Sequence, residues 1–287
     1  MKKIIVAKTA GFCWGVKRAI DKVMDLRRNN DGSIQTFGPL IHNPQILDRL
    51  DKQGVRTTNR LDNLKSETIV VRTHGIPPAE RRQIKEKGAS ILDTTCPDVA
   101  KIHARIKRCV KHDMDVIIAG HEVHPEIKGI LGYAGDRGYL VESVEDVEKL
   151  PEIKNVALVS QSTFSKSGFA DITAAVLRRF PDAEIFNTIC DATHDRQDEV
   201  RQLATEVDVM IVIGGRSSSN TKRLAEVSSE SGTRTFHIET ETELEPEMFD
   251  GAEVIGVTAG ASTPDWIIER VVHDIDEIGK AMGEPVS

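Results

Sequence analysis

Residues 90–106 read SILDTTCPDVAKIHARI, and this stretch decides the fold class. The apolar residues after Ser90 predict a short strand, and the apolar residues of Val99–Ile106 recur at the spacing of a helix. Cys96 lies between the two patterns and is followed by Pro97. The stretch therefore predicts a strand whose carboxyl end carries a cysteine at the start of a helix.

Two other cysteines share this context. Cys13 follows the apolar run Ile4–Ala7 and precedes a helical pattern, and Cys190 follows the run 184–189 and precedes a polar helix. Ligands of open α/β sheets bind at the carboxyl ends of the strands. Three cysteines at such ends can therefore meet at one point, where their thiolates can share one inorganic centre.

The spacing of these cysteines predicts the module count. Cys13 and Cys96 are 83 residues apart, and Cys96 and Cys190 are 94 apart, so each α/β module carries one such signal. Buried free cysteines that act as small apolar side chains remain the alternative. Cys109 lies inside a helical pattern, and we interpret it as core filling.

Short strand-like runs alternate with amphipathic helical runs along the whole chain, a pattern that predicts mainly parallel α/β sheets. The modules are predicted at 14–96, 97–190 and 191–281, with an N-terminal strand in 1–13. The predicted strands are 4–7, 34–37, 68–73, 91–94, 116–119, 139–141, 156–160, 184–187, 209–213, 235–238 and 254–258.

Composition excludes several classes of protein. The 287 residues carry a net charge of −7, which argues against a general nucleic-acid binder. The apolar runs are far shorter than the roughly 20 residues of a membrane-spanning helix, and the N-terminal run is too short for a signal peptide. Four cysteines without a Cys-x-x-Cys pair indicate neither a disulfide scaffold nor a zinc ribbon. We expect a soluble, cytoplasmic protein without membrane or nucleic-acid partners.

Polar residues at the predicted strand ends indicate an anion site. The stretch GGRSSSN at 214–220 enters a helix, where free N–H groups suit a phosphate, although an ordinary helix N-cap is the alternative. Three histidines at strand ends, His42, His74 and His124, suit a diphosphate or a hydroxyl. Glu126 is the candidate acid, because a dehydrated pocket raises a carboxyl pKa; a Glu that complements a helix dipole is the alternative. No nucleotide-binding glycine fingerprint follows any predicted strand.

Six motifs occur together in the order GFCWGVKRAI (11–20), THGI (73–76), DTTCP (93–97), HPE (124–126), GGRSSSN (214–220) and TAGAS (258–262). In this order they resemble the family of 4-hydroxy-3-methylbut-2-enyl diphosphate reductases, over nearly the whole chain. The resemblance implies three α/β modules in pseudo-threefold arrangement around a central cavity. It also implies a [4Fe-4S] cluster on Cys13, Cys96 and Cys190, with one iron open to substrate.

The resemblance further implies the roles of the polar residues. Glu126 matches the family's proton-delivering acid, and Ser162 stands where the family usually has a pocket threonine, so the hydroxyl is kept and the methyl is lost. With His124, these two are the predicted catalytic residues. The residues expected to bind substrate are His42, His74, His124, Ser162, Ser218, Ser219, Asn220 and Ser262.

The implied reaction is a two-electron reductive dehydroxylation that yields isopentenyl and dimethylallyl diphosphate. Its electrons are expected from a ferredoxin or a flavodoxin, in keeping with the missing nucleotide fingerprint. Two alternatives from the residues themselves are a Cys/His metal-dependent hydrolase of a diphosphate substrate and a non-catalytic module that binds diphosphates.

Overall fold

A computed structural model describes residues 3–283, and residues 1 and 2 of the predicted N-terminal segment 1–13 lie outside this range. The described chain contains three four-stranded sheets, and every strand pair in them is parallel. Helices connect the strands, as parallel pairing requires. The prediction of an α/β fold built on parallel sheets is confirmed.

The chain forms two compact units. The terminal unit takes the described residues up to Val16, the segment Ile41–Ile46 and the described residues from Asp191 on. The inner unit takes Lys17–Leu40 and Leu47–Cys190. The boundaries of the three predicted modules stay a prediction.

The terminal unit is built on one sheet, and its first strand pairs with its last: Lys3 stands opposite Val254 and Val6 opposite Val257. In sheet order the strands are β1 (Lys3–Val6), β12 (Val254–Ala259), β10 (Val209–Ile213) and β11 (Arg234–Ile238). All five residues of β10 are buried, as expected for a central strand covered on both faces. The helices that lie wholly in this unit are α8 (Asp191–Ala204), α9 (Ser219–Glu230) and α10 (Asp265–Gly283).

The inner unit contains two sheets. The first has the order β3 (Val55–Thr58), β2 (Ile34–Phe37), β4 (Thr68–Val71), β5 (Ser90–Asp93), and the second has the order β7 (Gly138–Val141), β6 (Asp115–Ala119), β8 (Val156–Ser160), β9 (Glu184–Ile185). Five helices belong to it entirely: α3 (Pro78–Glu86), α4 (Pro97–Lys111), α5 (Pro125–Ala134), α6 (Val144–Glu148) and α7 (Lys166–Arg179). The chain passes between the units within α1 (Trp14–Asn29) and α2 (Pro44–Lys52).

The second sheet of the inner unit is covered on both faces. Helices α4 and α5 pack on one face, where Ile102 and Ile130 join a core cluster with Ile118. Helices α6 and α7 supply the other cluster, which includes Val147. Cys109 is buried in the α4 cluster, in agreement with its interpretation as core.

Three strand predictions were wrong in detail. Strand β4 ends at Val71 instead of at residue 73. Strand β3 was missed, because only Val55 of its four residues is buried and the strand lies at a sheet edge. Strand β9 ends at Ile185 instead of at residue 187, so the chain is irregular from Phe186 to Cys190. None of the helices in residues 3–283 combines the length and apolar character needed to cross a bilayer.

Candidate active site

Several loops at the carboxyl ends of the inner unit's strands carry predicted site residues. His74 follows β4, Cys96 follows β5, and Ser162 follows β8. The loop after β6 leads into α5 and carries both His124 and Glu126. The carboxyl ends of parallel strands lie at one edge of a sheet, so the polar groups of one sheet are collected at that edge.

Glu126 is held in a fixed geometry at the start of α5. His124 is the N-cap residue of this helix, and its Nδ1 accepts a hydrogen bond from the backbone N–H of Glu126 at 3.2 Å. The Glu126 carboxylate accepts two bonds of 2.7 Å, from the backbone N–H of Ser162 to Oε1 and from the Ser162 hydroxyl to Oε2. A single serine therefore orients both oxygens of the carboxylate.

Burial raises the pKa of Glu126 to about 7, although both hydrogen bonds from Ser162 act in the opposite direction. The residue is only 1% exposed, so water cannot solvate the ionised carboxylate. Desolvation therefore outweighs two charge-assisted hydrogen bonds. A carboxyl with this pKa exchanges a proton near neutral pH, which is the property of a general acid or base.

His74 and His124 lie next to each other in the inner unit. Their ring centroids are 5.3 Å apart in an edge-to-face arrangement. The turn behind His74 depends on Gly75, which has a φ of +70° and whose added Cβ would lie 2.6 Å from Cε1 of His103. His103 projects from α4 and stacks on Tyr133 of α5, and burial lowers its pKa to about 4. A neutral imidazole thus packs the turn of His74 against two helices.

The segments that carry two of the three predicted cysteine ligands are in contact within the inner unit. Cys96 donates its backbone N–H to Thr73 O at 2.8 Å, and Cys190 donates its own to Ser162 O at 2.8 Å. The Cys190 Sγ lies 3.3 Å from Oδ2 of Asp98, which stands in the first turn of α4. Both thiols are half-buried and neither is in a disulfide.

The terminal unit holds the other predicted residues. Cys13 donates its backbone N–H to Ala261 O at 3.1 Å, and the hydroxyl of the next residue, Ser262, donates to His42 O at 3.2 Å. Ser218 caps α9 by accepting a hydrogen bond from the backbone N–H of Thr221 at 3.3 Å.

Asn220 differs from a capping residue. It lies in the first turn of α9, and it is only 6% exposed. Neither atom of its amide has a hydrogen-bond partner within the described part of the chain. Because buried polar groups are normally paired, an unpaired amide points to a polar ligand that pairs with it.

Sequence reasoning missed Asp98 and Arg196. The buried Arg196 of α8 donates hydrogen bonds to the carbonyl oxygens of Gly11 and Ala192, both at 2.8 Å. Gly11 lies two residues before Cys13, and Ala192 lies two residues after Cys190. No local pattern indicates these contacts, because Asp98 and Cys190 are 92 residues apart and Gly11 and Arg196 are 185 apart. The roles of the predicted site residues stay predictions.

Comparisons with known proteins agree with the motifs. The profile of the LytB protein family matches residues 4–276. The 4-hydroxy-3-methylbut-2-enyl diphosphate reductase of Pelobacter propionicus is 43% identical over 97% of this chain and 99% of its own length. The reductase of the same name from Aquifex aeolicus is 41% identical, over 97% of each chain.

Solved structures give the same result. The E-1-hydroxy-2-methyl-but-2-enyl-4-diphosphate reductase from Plasmodium falciparum superposes with a TM-score of 0.92 at 30% identity, covering 95% of this chain and 87% of that one. A structure of (E)-4-hydroxy-3-methyl-but-2-enyl diphosphate reductase, described as the terminal enzyme of the non-mevalonate pathway, has a TM-score of 0.72 at 40% identity, with 96% and 100% covered. The resemblance predicted from the motifs is confirmed.

Proposed function

Because the chain belongs to the LytB protein family, we propose that it reduces (E)-4-hydroxy-3-methylbut-2-enyl diphosphate to isopentenyl and dimethylallyl diphosphate. The structural observation that carries this proposal is the buried Glu126 carboxyl, held by Ser162 beside His124. The hydrolase alternative finds no support, since the curated relatives reported above are all named as reductases.

The family is one of iron–sulfur enzymes, and we propose a [4Fe-4S] cluster on Cys13, Cys96 and Cys190. Half-buried thiols outside any disulfide support this assignment, since thiolates are the usual ligands of such clusters. When bound, the cluster supplies electrons and a Lewis-acidic iron. Asp98 brings the segments of Cys96 and Cys190 together, and Arg196 fixes the backbone ahead of Cys13.

The diphosphate is the part of the substrate that the other polar residues recognise. The unpaired amide of Asn220 and the N–H groups at the start of α9 suit phosphate oxygens. Histidine side chains donate hydrogen bonds to the same kind of oxygen. The proposed binding residues are His42, His74, His124, Ser162, Ser218, Ser219, Asn220 and Ser262.

Glu126 is the proposed proton donor, because its pKa of about 7 leaves it substantially protonated at neutral pH. The reaction breaks the C–O bond to the substrate hydroxyl and forms a C–H bond. It consumes two electrons and two protons, and the hydroxyl leaves as one water molecule. The Ser162 hydroxyl keeps the carboxyl oriented as it loses its proton, and His124 lies at the same helix start.

The electrons have to come from outside the chain, and we propose a ferredoxin or a flavodoxin as their source. The absence of a nucleotide-binding glycine fingerprint from the sequence supports a protein donor over a nicotinamide.

An anaerobic assay with reduced methyl viologen and the hydroxylated substrate tests this function. The wild-type protein should consume substrate and form both products, whereas Glu126→Gln should lose about 100-fold or more of the rate and keep its iron. Glu122→Gln is the matched control, because Glu122 is exposed in the same loop. A protein that binds the substrate without reducing it would refute the proposal, as would a fully active Glu126→Gln variant.

A further inference from the structure

Helix α4 is strongly basic in an acidic chain. Its 15 residues include five Lys or Arg and one Asp, a net charge of +4. Because the whole chain has a net charge of −7, the residues outside α4 have a net charge of −11. Residues 191–287 are the acidic extreme, with eight Lys or Arg against 21 Asp or Glu. An acidic partner is therefore repelled by most of this chain and attracted to α4.

The cations of α4 form an exposed stripe, which we define as Lys101, Arg105 and Arg108. These residues are spaced by four and three positions, so they lie on one face of the helix. All three are exposed, while the opposite face of α4 is buried in the core.

The stripe borders a cavity of about 460 Å³, which Arg105, Arg108 and Phe186 line. The guanidinium of Arg105 lies 4.3 Å from the centroid of the Phe186 ring. Asp182 and Glu184 also line this cavity and reduce the positive charge there. These two acidic side chains therefore offset part of the charge of Arg105 and Arg108 beside the cavity.

The start of the stripe, at Lys101, is its part nearest to a proposed cluster ligand. Lys101 is a surface residue, with 78% of its side chain exposed, and its Nζ lies 2.8 Å from Oδ1 of Asp98. The other carboxylate oxygen of Asp98 lies 3.3 Å from the Sγ of Cys190. One carboxylate thus separates an exposed lysine from the cysteine sulfur.

We propose that the Lys101–Arg105–Arg108 stripe of α4 is the docking surface for a small acidic protein that delivers single electrons to the centre beside Cys190. The inference rests on the proposed function. Its chemistry balances: two reduced carriers each give one electron, and these with two protons convert the allylic alcohol to the hydrocarbon and water. Opposite charge attracts the carrier, and the Lys101–Asp98 contact brings it next to a ligand sulfur.

Charge reversal at Arg105 and Arg108 tests the proposal. The double variant Arg105→Glu/Arg108→Glu is compared with Lys149→Glu/Arg178→Glu. The control pair makes the same change in charge on exposed residues at the ends of α6 and α7, across the sheet from α4. Each holoprotein is titrated with an acidic ferredoxin at low and high salt. Each is then assayed with reduced methyl viologen and, separately, with ferredoxin reduced by NADPH and its reductase.

The α4 variant should bind ferredoxin at least about tenfold more weakly at low salt, with the difference shrinking as salt screens the charges. Its ferredoxin-driven rate should fall in parallel, while its viologen-driven rate and iron content stay at the wild-type level. Unchanged ferredoxin binding, or an equal loss in the control pair, would overturn the docking surface. So would a matching loss of viologen-driven activity. A wild-type protein inactive with viologen would instead refute the proposed function.

Discussion

The hydrogen bond from the Ser162 hydroxyl to Glu126 makes a quantitative prediction. The bond is 2.7 Å long, its acceptor is a buried carboxylate, and the second bond from the same serine comes from the backbone. Ser162→Ala therefore removes one of two bonds to the ionised form and leaves the other in place. The substitution isolates the contribution of the hydroxyl to the proton affinity of Glu126.

The expected change is an increase in the pKa of Glu126. A hydrogen bond to a charged group contributes about 1.5–3 kcal/mol, and one pKa unit corresponds to about 1.4 kcal/mol. Losing a bond to the ionised form favours the protonated form, so the pKa rises by about one to two units from its value of about 7. An acid that must be protonated to act then stays active to a higher pH.

The assay is the pH dependence of kcat with reduced methyl viologen under argon. We expect the alkaline limb of wild-type activity near the pKa of Glu126, and a limb about one to two units higher in Ser162→Ala. Ser162→Thr keeps the hydroxyl and should leave the limb in place. A Ser162→Ala limb within about 0.3 units of the wild-type one would refute the reasoning, because the hydroxyl would then not control this carboxyl.

Three further outcomes are expected. Because the pKa of Glu126 is raised from 4.5 to about 7, the protonated carboxyl stabilises the fold fully below pH 4.5, and this contribution is lost as the pH rises through about 7. In denaturant titrations, the free energy of unfolding of the wild type relative to Glu126→Gln should therefore fall by about 3 kcal/mol across this pH window. Parallel pH curves for the two proteins would contradict this. Cys109→Ser should keep iron and activity, whereas Cys96→Ser should lose both; iron analysis with the reverse result would exclude the ligand assignment. Arg196→Met leaves the Gly11 carbonyl unpaired and should destabilise the protein by about 3 kcal/mol, and a change below about 0.5 kcal/mol in chemical unfolding would be inconsistent with this contact.

Periodicity predicted most of the fold, because buried parallel strands are short apolar runs between amphipathic helices. Strand β3 escaped it, since an edge strand needs to bury only one residue, here Val55. The same logic accounts for one contact of the candidate site: residues at strand ends are collected at one edge of a sheet, where Glu126 and Ser162 lie within hydrogen-bond distance. The contact of Asp98 with Cys190 could not be predicted, because it joins side chains from distant segments whose local patterns are those of ordinary helix starts.

The pairing of β1 with β12 has a consequence for biosynthesis. Strand β1 lacks its partner β12 until residues 254–259 have been translated, whereas the inner unit is complete by residue 190. The backbone around Cys13 depends equally on late residues, since Ala261 and Arg196 hold it. On a nascent chain, the segments of Cys96 and Cys190 can thus fold before the backbone around Cys13 does. A cluster that needs all three thiolates can be inserted only after residue 261 has been translated.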